Sequence, residues 1–164
     1  MLSEQEQIRR DSLQKIIDYG INPYPAAEFK VSHYSVDILE NFKEGEKVII
    51  AGRLMRRKIQ GKASFGSIQD SKGKIQVYFN RDVICPSEDK SLYNDFFKKW
   101  LDLGDILGIE GKVFKTMVGE ISINVDKFHL LSKSLKPLIT YFDIDANNYR
   151  TASGSYWIKR GNDE

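Results

Sequence analysis

From Gly45 to Ser132 the chain alternates apolar and polar positions over short runs rich in Val, Ile and Phe, broken by Gly-containing turns. A strand turns successive side chains to opposite faces, so this pattern predicts a small antiparallel barrel with one buried face. The runs place strands at Lys47 to Arg56, Lys62 to Gln69, Lys74 to Asn80, Asp105 to Lys115 and Glu120 to Leu130. Asp70-Ser71-Lys72-Gly73 joins the second and third as a hairpin, and Met117-Val118-Gly119 joins the last two. Two stretches have a helical period instead. Ser3 with Glu6 three residues on is a capping box, and Leu13, Ile16 and Ile17 follow before Gly20, which predicts a helix over about 4–19. Its polar face carries Arg9, Arg10 and Lys15, open either to a phosphate backbone or to solvent alone. Asn22-Pro23-Tyr24-Pro25 breaks this helix and opens a connector to about Asn41. Farther on, Ser87 stands as N-cap before Glu88 and Asp89, and Leu92, Tyr93, Phe96, Phe97 and Trp100 recur at amphipathic spacing, with the aromatics expected in the core.

Three strands, a helix and two more strands give β-β-β-α-β-β, the element order of the OB-fold. The fold class expected is therefore mainly β with helices: a five-stranded OB barrel preceded by an N-terminal α-helix. Residues 1–44 read as helix and connector, 45–136 as the barrel and 137–164 as a tail of unknown role.

Composition narrows the picture. A chain of 164 residues suits one domain with an extension and leaves no room for a multidomain enzyme. Lys and Arg number 25 against 23 Asp and Glu, so any surface for a polyanion must be a local cluster. The single cysteine, Cys85, can form no internal disulfide and is expected as a buried small residue in a reducing, cytoplasmic setting. The polar start lacks a secretory pattern, and no apolar run approaches the ~18 residues of a membrane span, so no membrane partner is expected. His33 and His129 form neither a metal nor a triad pattern.

The local cluster exists. Between Glu46 and Asp70 there is no acidic residue, while Lys47, Arg53, Arg56, Arg57, Lys58 and Lys62 all occur, the basic edge that a phosphate-tracking groove needs. In Ala63-Ser64-Phe65-Gly66-Ser67-Ile68-Gln69, alternation sends Phe65 and Ile68 to opposite faces, so an Ile68 in the core puts Phe65 outside it. Ile75, Val77 and Phe79 point inward on the next strand, and Phe65, Ser67, Gln76 and Tyr78 share the outer face. An exposed ring beside an amide on strands two and three is how OB-folds stack an unpaired base and bond its edge. In the last strand Ile121, Ile123 and Val125 alternate with Glu120, Ser122 and Asn124, which makes Glu120 an outward carboxylate able to accept from a base N–H.

The runs Val48 to Phe65 and Ile68 to Tyr78 resemble the anticodon-binding domain of bacterial class II lysyl-tRNA synthetases. The likeness extends from about Gln5 through Gly20-Ile21-Asn22-Pro23-Tyr24-Pro25, Phe97-Lys98-Lys99-Trp100, Leu103 to Gly108 and Gly111 to Thr116, ending at Leu135-Lys136-Pro137-Leu138. It implies that Phe65 matches the aromatic that stacks on the middle anticodon uridine and that Gln76 and Glu120 match the residues that bond that base. Lys58 departs from the family, which usually has a second arginine there, and a lysine lacks the planar fork for a bidentate contact. The implied partner is lysine tRNA through its anticodon stem-loop, with a homodimer or docking on a full-length synthetase as further possibilities. The family's catalytic domain uses ATP and Mg. In this chain no two glycines stand two residues apart, which excludes the glycine-rich catalytic motif and a Rossmann fingerprint, and there is no P-loop. No cofactor and no activation chemistry are expected here, so the chain reads as a fragment or truncated paralogue whose work is binding. The rival reading is a free-standing OB module for single-stranded nucleic acid without anticodon preference. From about Ile139 to Glu164 the likeness ends, and a short hairpin or a truncation scar both remain open.

Overall fold

The computed structural model describes residues 2–138, 141–145 and 148–151. The helix α1 (Glu4–Asp18) starts at the capping box read from sequence: Ser3 Oγ accepts from Glu6 N–H at 3.2 Å and Glu6 accepts from Ser3 N–H at 2.9 Å. A short α2 (Ser35–Glu40) follows in the connector, and then β1 (Lys47–Gln60), β2 (Ala63–Gln69) and β3 (Lys74–Asn80). A single turn, α3 (Arg81–Ile84), precedes α4 (Leu92–Trp100), and β4 (Ile106–Lys115) and β5 (Ile121–Ser132) complete the barrel. The backbones of β6 (Tyr141–Asp145) and β7 (Asn148–Thr151) pair antiparallel as a separate ribbon. The rest of the expected tail, residues 139–140, 146–147 and 152–164, lies outside the described residues.

The sheet closes in the order β1-β2-β3-β5-β4, antiparallel throughout except for the parallel β3–β5 seam. Closure brings backbones close at two glycines. A Cβ at Gly52 would stand 2.4 Å from Gln69 O, and one at Gly111 would stand 2.2 Å from Asn124 O, so only hydrogen fits at either place. The inward residues of every strand meet in one core that includes Ile50, Leu54, Ile68, Val77, Ile109, Ile123 and Val125. The helix α4 stops one end of the barrel with its aromatics. Phe97 lies 4.4 Å from Phe79 between ring centroids, Phe96 stacks on Phe128 at 5.6 Å, and the Tyr93 hydroxyl meets the buried Ser64 hydroxyl at 2.7 Å.

Several expectations are corrected. The helix α4 does not begin at Ser87: the Asp89 carboxylate accepts from Ser91 N–H at 2.8 Å as a cap, and the first helical bond runs from Asn94 N–H to Lys90 O at 2.9 Å. Its turns are also wide, with Leu101 N–H reaching back five residues to Phe96 O. On α1 the buried face is Arg9, Ser12 and Ile16, whereas Ile17 is exposed. Arg9 is therefore unavailable to a phosphate: it donates to Leu103 O at 2.9 Å and Ser134 O at 3.1 Å. Beside it the Lys133 ammonium is fully buried between Asp102 (2.6 Å) and Asp105 (3.0 Å). Burial pushes the Asp105 carboxyl above the usual carboxylate range, while the Lys133 charge and N–H bonds from Asp102 and Ser134 pull it back. These bonds fasten the segment after β5 to α1 and to the loop before β4. Cys85 is buried, as expected. Among the described residues no helix is long and apolar enough to cross a membrane.

Candidate nucleic-acid interface

The β2–β3 hairpin is held by its turn. Asp70 Oδ1 accepts from Lys72 N–H, Gly73 N–H and the Ser35 hydroxyl, and Oδ2 accepts from Ser35 N–H at 2.6 Å. Burial tends to raise the Asp70 carboxyl, but these donors outweigh it and hold the group below the usual range. The turn sets the register, in which Phe65 stands opposite Tyr78, Ser67 opposite Gln76 and Ile68 opposite Ile75. Ile68 is completely buried and Phe65 lies on the outer face, as alternation requires. The ring is not bare, however. It is half-buried, with Tyr78 packed beside it at 5.0 Å and tilted by 51°.

Tyr78 in turn meets Phe114 edge-on at 6.1 Å, so three rings from β2, β3 and β4 form a row across the outside of the barrel. Phe114 was not among the sequence candidates, although the alternation of buried Val113 with its neighbours marks it as outward. Gln76 is adjacent to this row. Its Nε2 donates to Ser122 Oγ at 2.9 Å, and Ser122 Oγ donates to the Glu120 main-chain carbonyl at 3.4 Å, so one hydroxyl ties the Gln76 amide to the backbone at Glu120 but not to its carboxylate. Glu120 is not in the strand, since β5 begins at Ile121. It sits exposed in the preceding turn, its N–H bonded to Thr116 Oγ1, and its carboxylate forms no ion pair among the described residues.

The basic edge divides in two, and the cause is a bulge. The first strand runs on to Gln60, so the cations expected partly in a turn stand on a strand, with only Lys62 in the turn. Pairing with β2 slips between Leu54 and Arg56, leaving Met55 unpaired and reversing the faces beyond it. Arg56 thereby stands opposite Ser67 and Lys58 opposite Phe65, both exposed on the aromatic face. Arg57, opposite the inward Gly66, turns toward α4 instead. Its Nη1 donates to Phe97 O at 2.6 Å and Leu101 O at 2.9 Å, and its guanidinium lies 5.8 Å from the Phe97 ring centroid. Burial pushes this guanidinium below the usual arginine range, against the attraction of Asp102 and Asp105. Arg53 is also engaged, donating to Gly104 O at 2.8 Å. Arg56, Lys58 and Lys62 are thus free to meet phosphates, while Arg53 and Arg57 support the platform. No cluster of metal-ligating side chains occurs among the described residues.

A five-stranded barrel with a ring row and an amide on its outer face, an exposed carboxylate in an adjoining turn and exposed cations beside it has the makings of a surface for single-stranded nucleic acid. The comparison with known families agrees: residues 48–131, about half of the chain, match the tRNA anticodon family model described as an OB-fold nucleic acid binding domain, and the chain belongs to that family. The curated relatives are more particular. The chain is 66% identical over 137 residues to a lysine–tRNA ligase of Christiangramia forsetii, covering 84% of this chain and 24% of that protein. It is 51% identical over 142 residues to that of Porphyromonas gingivalis (84% and 25%) and 52% identical over 140 residues to that of Azobacteroides pseudotrichonymphae (84% and 28%). The chain thus spans about a quarter of the length of these relatives.

Proposed function

We propose that this chain reads the anticodon loop of lysine tRNA as the anticodon-binding part of a lysine–tRNA ligase. The observation that carries the reading is the Phe65 ring and the Gln76 amide on one outer face, with Gln76 Nε2 fixed on Ser122 Oγ and the exposed Glu120 in the turn just before β5. The middle base of the loop stacks on Phe65, and its Watson–Crick edge, which offers both a donor and acceptors, meets Gln76 and Glu120. The cations Arg56, Lys58 and Lys62 take the loop phosphates. Fastening Gln76 to Ser122 before RNA arrives limits the freedom lost on binding and favours one edge pattern over others.

In the whole protein this binding would orient the acceptor end of the tRNA toward a catalytic domain that uses ATP and Mg to attach lysine in the cytoplasm. Self-association, or docking on a full-length ligase, belongs to the same reading and is measurable by sedimentation with and without tRNA. The deciding experiment compares binding to the lysine anticodon stem-loop and to the same stem-loop with its middle anticodon base changed. Preference for the uridine supports the proposal, and equal affinity for all four bases at that position refutes it.

A further inference from the structure

The β4–β5 ladder ends at Ile106 and Ser132, and residues 133–138 follow without strand structure. Side chains hold this segment instead. The Lys133 ammonium and the Asp105 carboxylate are both wholly buried, 3.0 Å apart, and Asp102 stands 2.6 Å from the same ammonium. Ser134 N–H donates to Asp105 at 2.8 Å, Arg9 of α1 donates to Ser134 O, and the Tyr24 hydroxyl donates to Lys133 O at 3.0 Å.

The loop 101–105, which carries both carboxylates, is gripped from its other side by β1. Arg57 donates to Leu101 O and Arg53 to Gly104 O, while Gly104 N–H reaches Leu54 O at 2.8 Å and Leu54 N–H reaches Asp105 O at 2.9 Å. The same strand presents Arg56 and Lys58 on the aromatic face. Direct bonds therefore run from the cation-bearing strand through the loop to the segment that leaves the barrel. Gly104 lets the two lie close, since a Cβ there would stand 3.0 Å from the Leu138 side chain and 3.1 Å from Ser134 Oγ. Stability alone does not call for ions at this place. Desolvation of a buried ammonium and carboxylate offsets most of their attraction, and apolar side chains of similar size stabilise such a site as well or better. Apolar contact has no direction, however, and would let the segment slide, whereas carboxylate oxygens satisfy an ammonium in few arrangements.

We propose that the loop 101–105 and Lys133 form a rigid joint that fixes the direction in which the chain leaves the barrel, with Arg9, Asp102, Asp105 and Lys133 as positioning residues for the lysylation of tRNA. This rests on the reading of the chain as the anticodon-binding part of a longer ligase. The chain spans about a quarter of its relatives' length, so the joint is the base of a long lever. A small turn at the base moves the acceptor end of a bound tRNA far more than the anticodon, and a misplacement of about 1 Å at reacting atoms lowers a rate by about a hundredfold.

The test places a nitroxide label on Lys136→Cys, or on Lys127→Cys in β5 as a barrel reference, both exposed positions; Cys85 is buried and stays unlabelled. In the wild type both labels are expected to report the slow tumbling of the whole barrel. Lys133→Met is expected to raise the mobility of the Lys136 label severalfold and to leave the Lys127 label, cooperative melting and binding to the lysine anticodon stem-loop unchanged. Asp102→Asn, at a partly exposed partner of the ammonium, is expected to act in the same direction more weakly, and it carries the test if Lys133→Met does not fold. In a full-length ligase carrying this chain, Lys133→Met is expected to lower kcat for lysylation of whole tRNA about tenfold, with KM for tRNA and lysine-dependent ATP–pyrophosphate exchange unchanged. Val77→Ala, which weakens the barrel core instead, is expected to move neither the Lys136 label nor kcat. A Lys136 label equally mobile in wild type and in the variants overturns the joint. An unchanged kcat, or one that falls with Val77→Ala as well, overturns the positioning role. A wild type that fails to bind the stem-loop sinks the anticodon reading and the positioning role with it, whatever the labels report.

Discussion

Neighbouring arginines with opposite duties give the sharpest test of the interface. Arg57→Gln removes two charge-assisted hydrogen bonds, at 2.6 and 2.9 Å, and a guanidinium from beside the Phe97 ring. It leaves the carbonyls of Phe97 and Leu101 without that donor at the end of α4. Hydrogen bonds to a charged group are worth about 1.5 to 3 kcal/mol each and a cation–π contact adds about 0.5 to 1, but the three share one side chain and do not add. A net loss of about 2 to 4 kcal/mol follows, which for a chain of this size lowers the melting temperature by roughly 5 to 15 °C. Arg56→Gln loses nothing inside the fold, so its melting temperature stays within a degree or two. RNA binding reverses the order. Each phosphate contact removed lowers the slope of log K against log salt by about 0.7 for a single strand, so Arg56→Gln flattens the slope and Arg57→Gln, measured where it is folded, does not. Thermal melts and fluorescence titrations over a range of salt measure both quantities. A stable Arg57→Gln protein with a flattened slope would refute the assignment of faces by the Met55 bulge.

Three other outcomes follow from the same geometry. Phe65→Ala is expected to weaken stem-loop binding by about 1 to 3 kcal/mol while cooperative melting persists, since the ring lies outside the barrel; loss of the transition would place it in the core. Gln76→Leu is expected to cut the preference for the middle uridine by about tenfold, as one base-edge bond is lost, whereas a uniform weakening for all bases would mean that Gln76 does not read the edge. The Asp70 carboxyl is held below its unfolded value, so its contribution is complete above the ordinary carboxylate range and fades as pH falls through the folded-state value. Asp70→Asn is expected to cost about 1 to 2 kcal/mol at neutral pH, and the gap to wild type is expected to close toward low pH in denaturant titrations. A gap that is constant with pH would show that ionisation of Asp70 is irrelevant to the hairpin.

Sequence alone determined the faces of β2, β3 and the first part of β5, up to Val125, because a period of two is a local property of the backbone. Once Ile68, Ile75 and Ile123 are read as core, Phe65, Gln76 and Ser122 have nowhere to go but outward. The capping box of α1 is equally local, its two bonds spanning three residues. Tertiary structure decided which cations are free. A bulge in β1 shows only in its pairing with β2, and the partners that bury Arg9 lie 94 and 125 residues away from it. A run of arginines and lysines records how much charge is present, but whether each charge faces RNA or grips a carbonyl depends on which backbone oxygens the closed barrel brings within its reach.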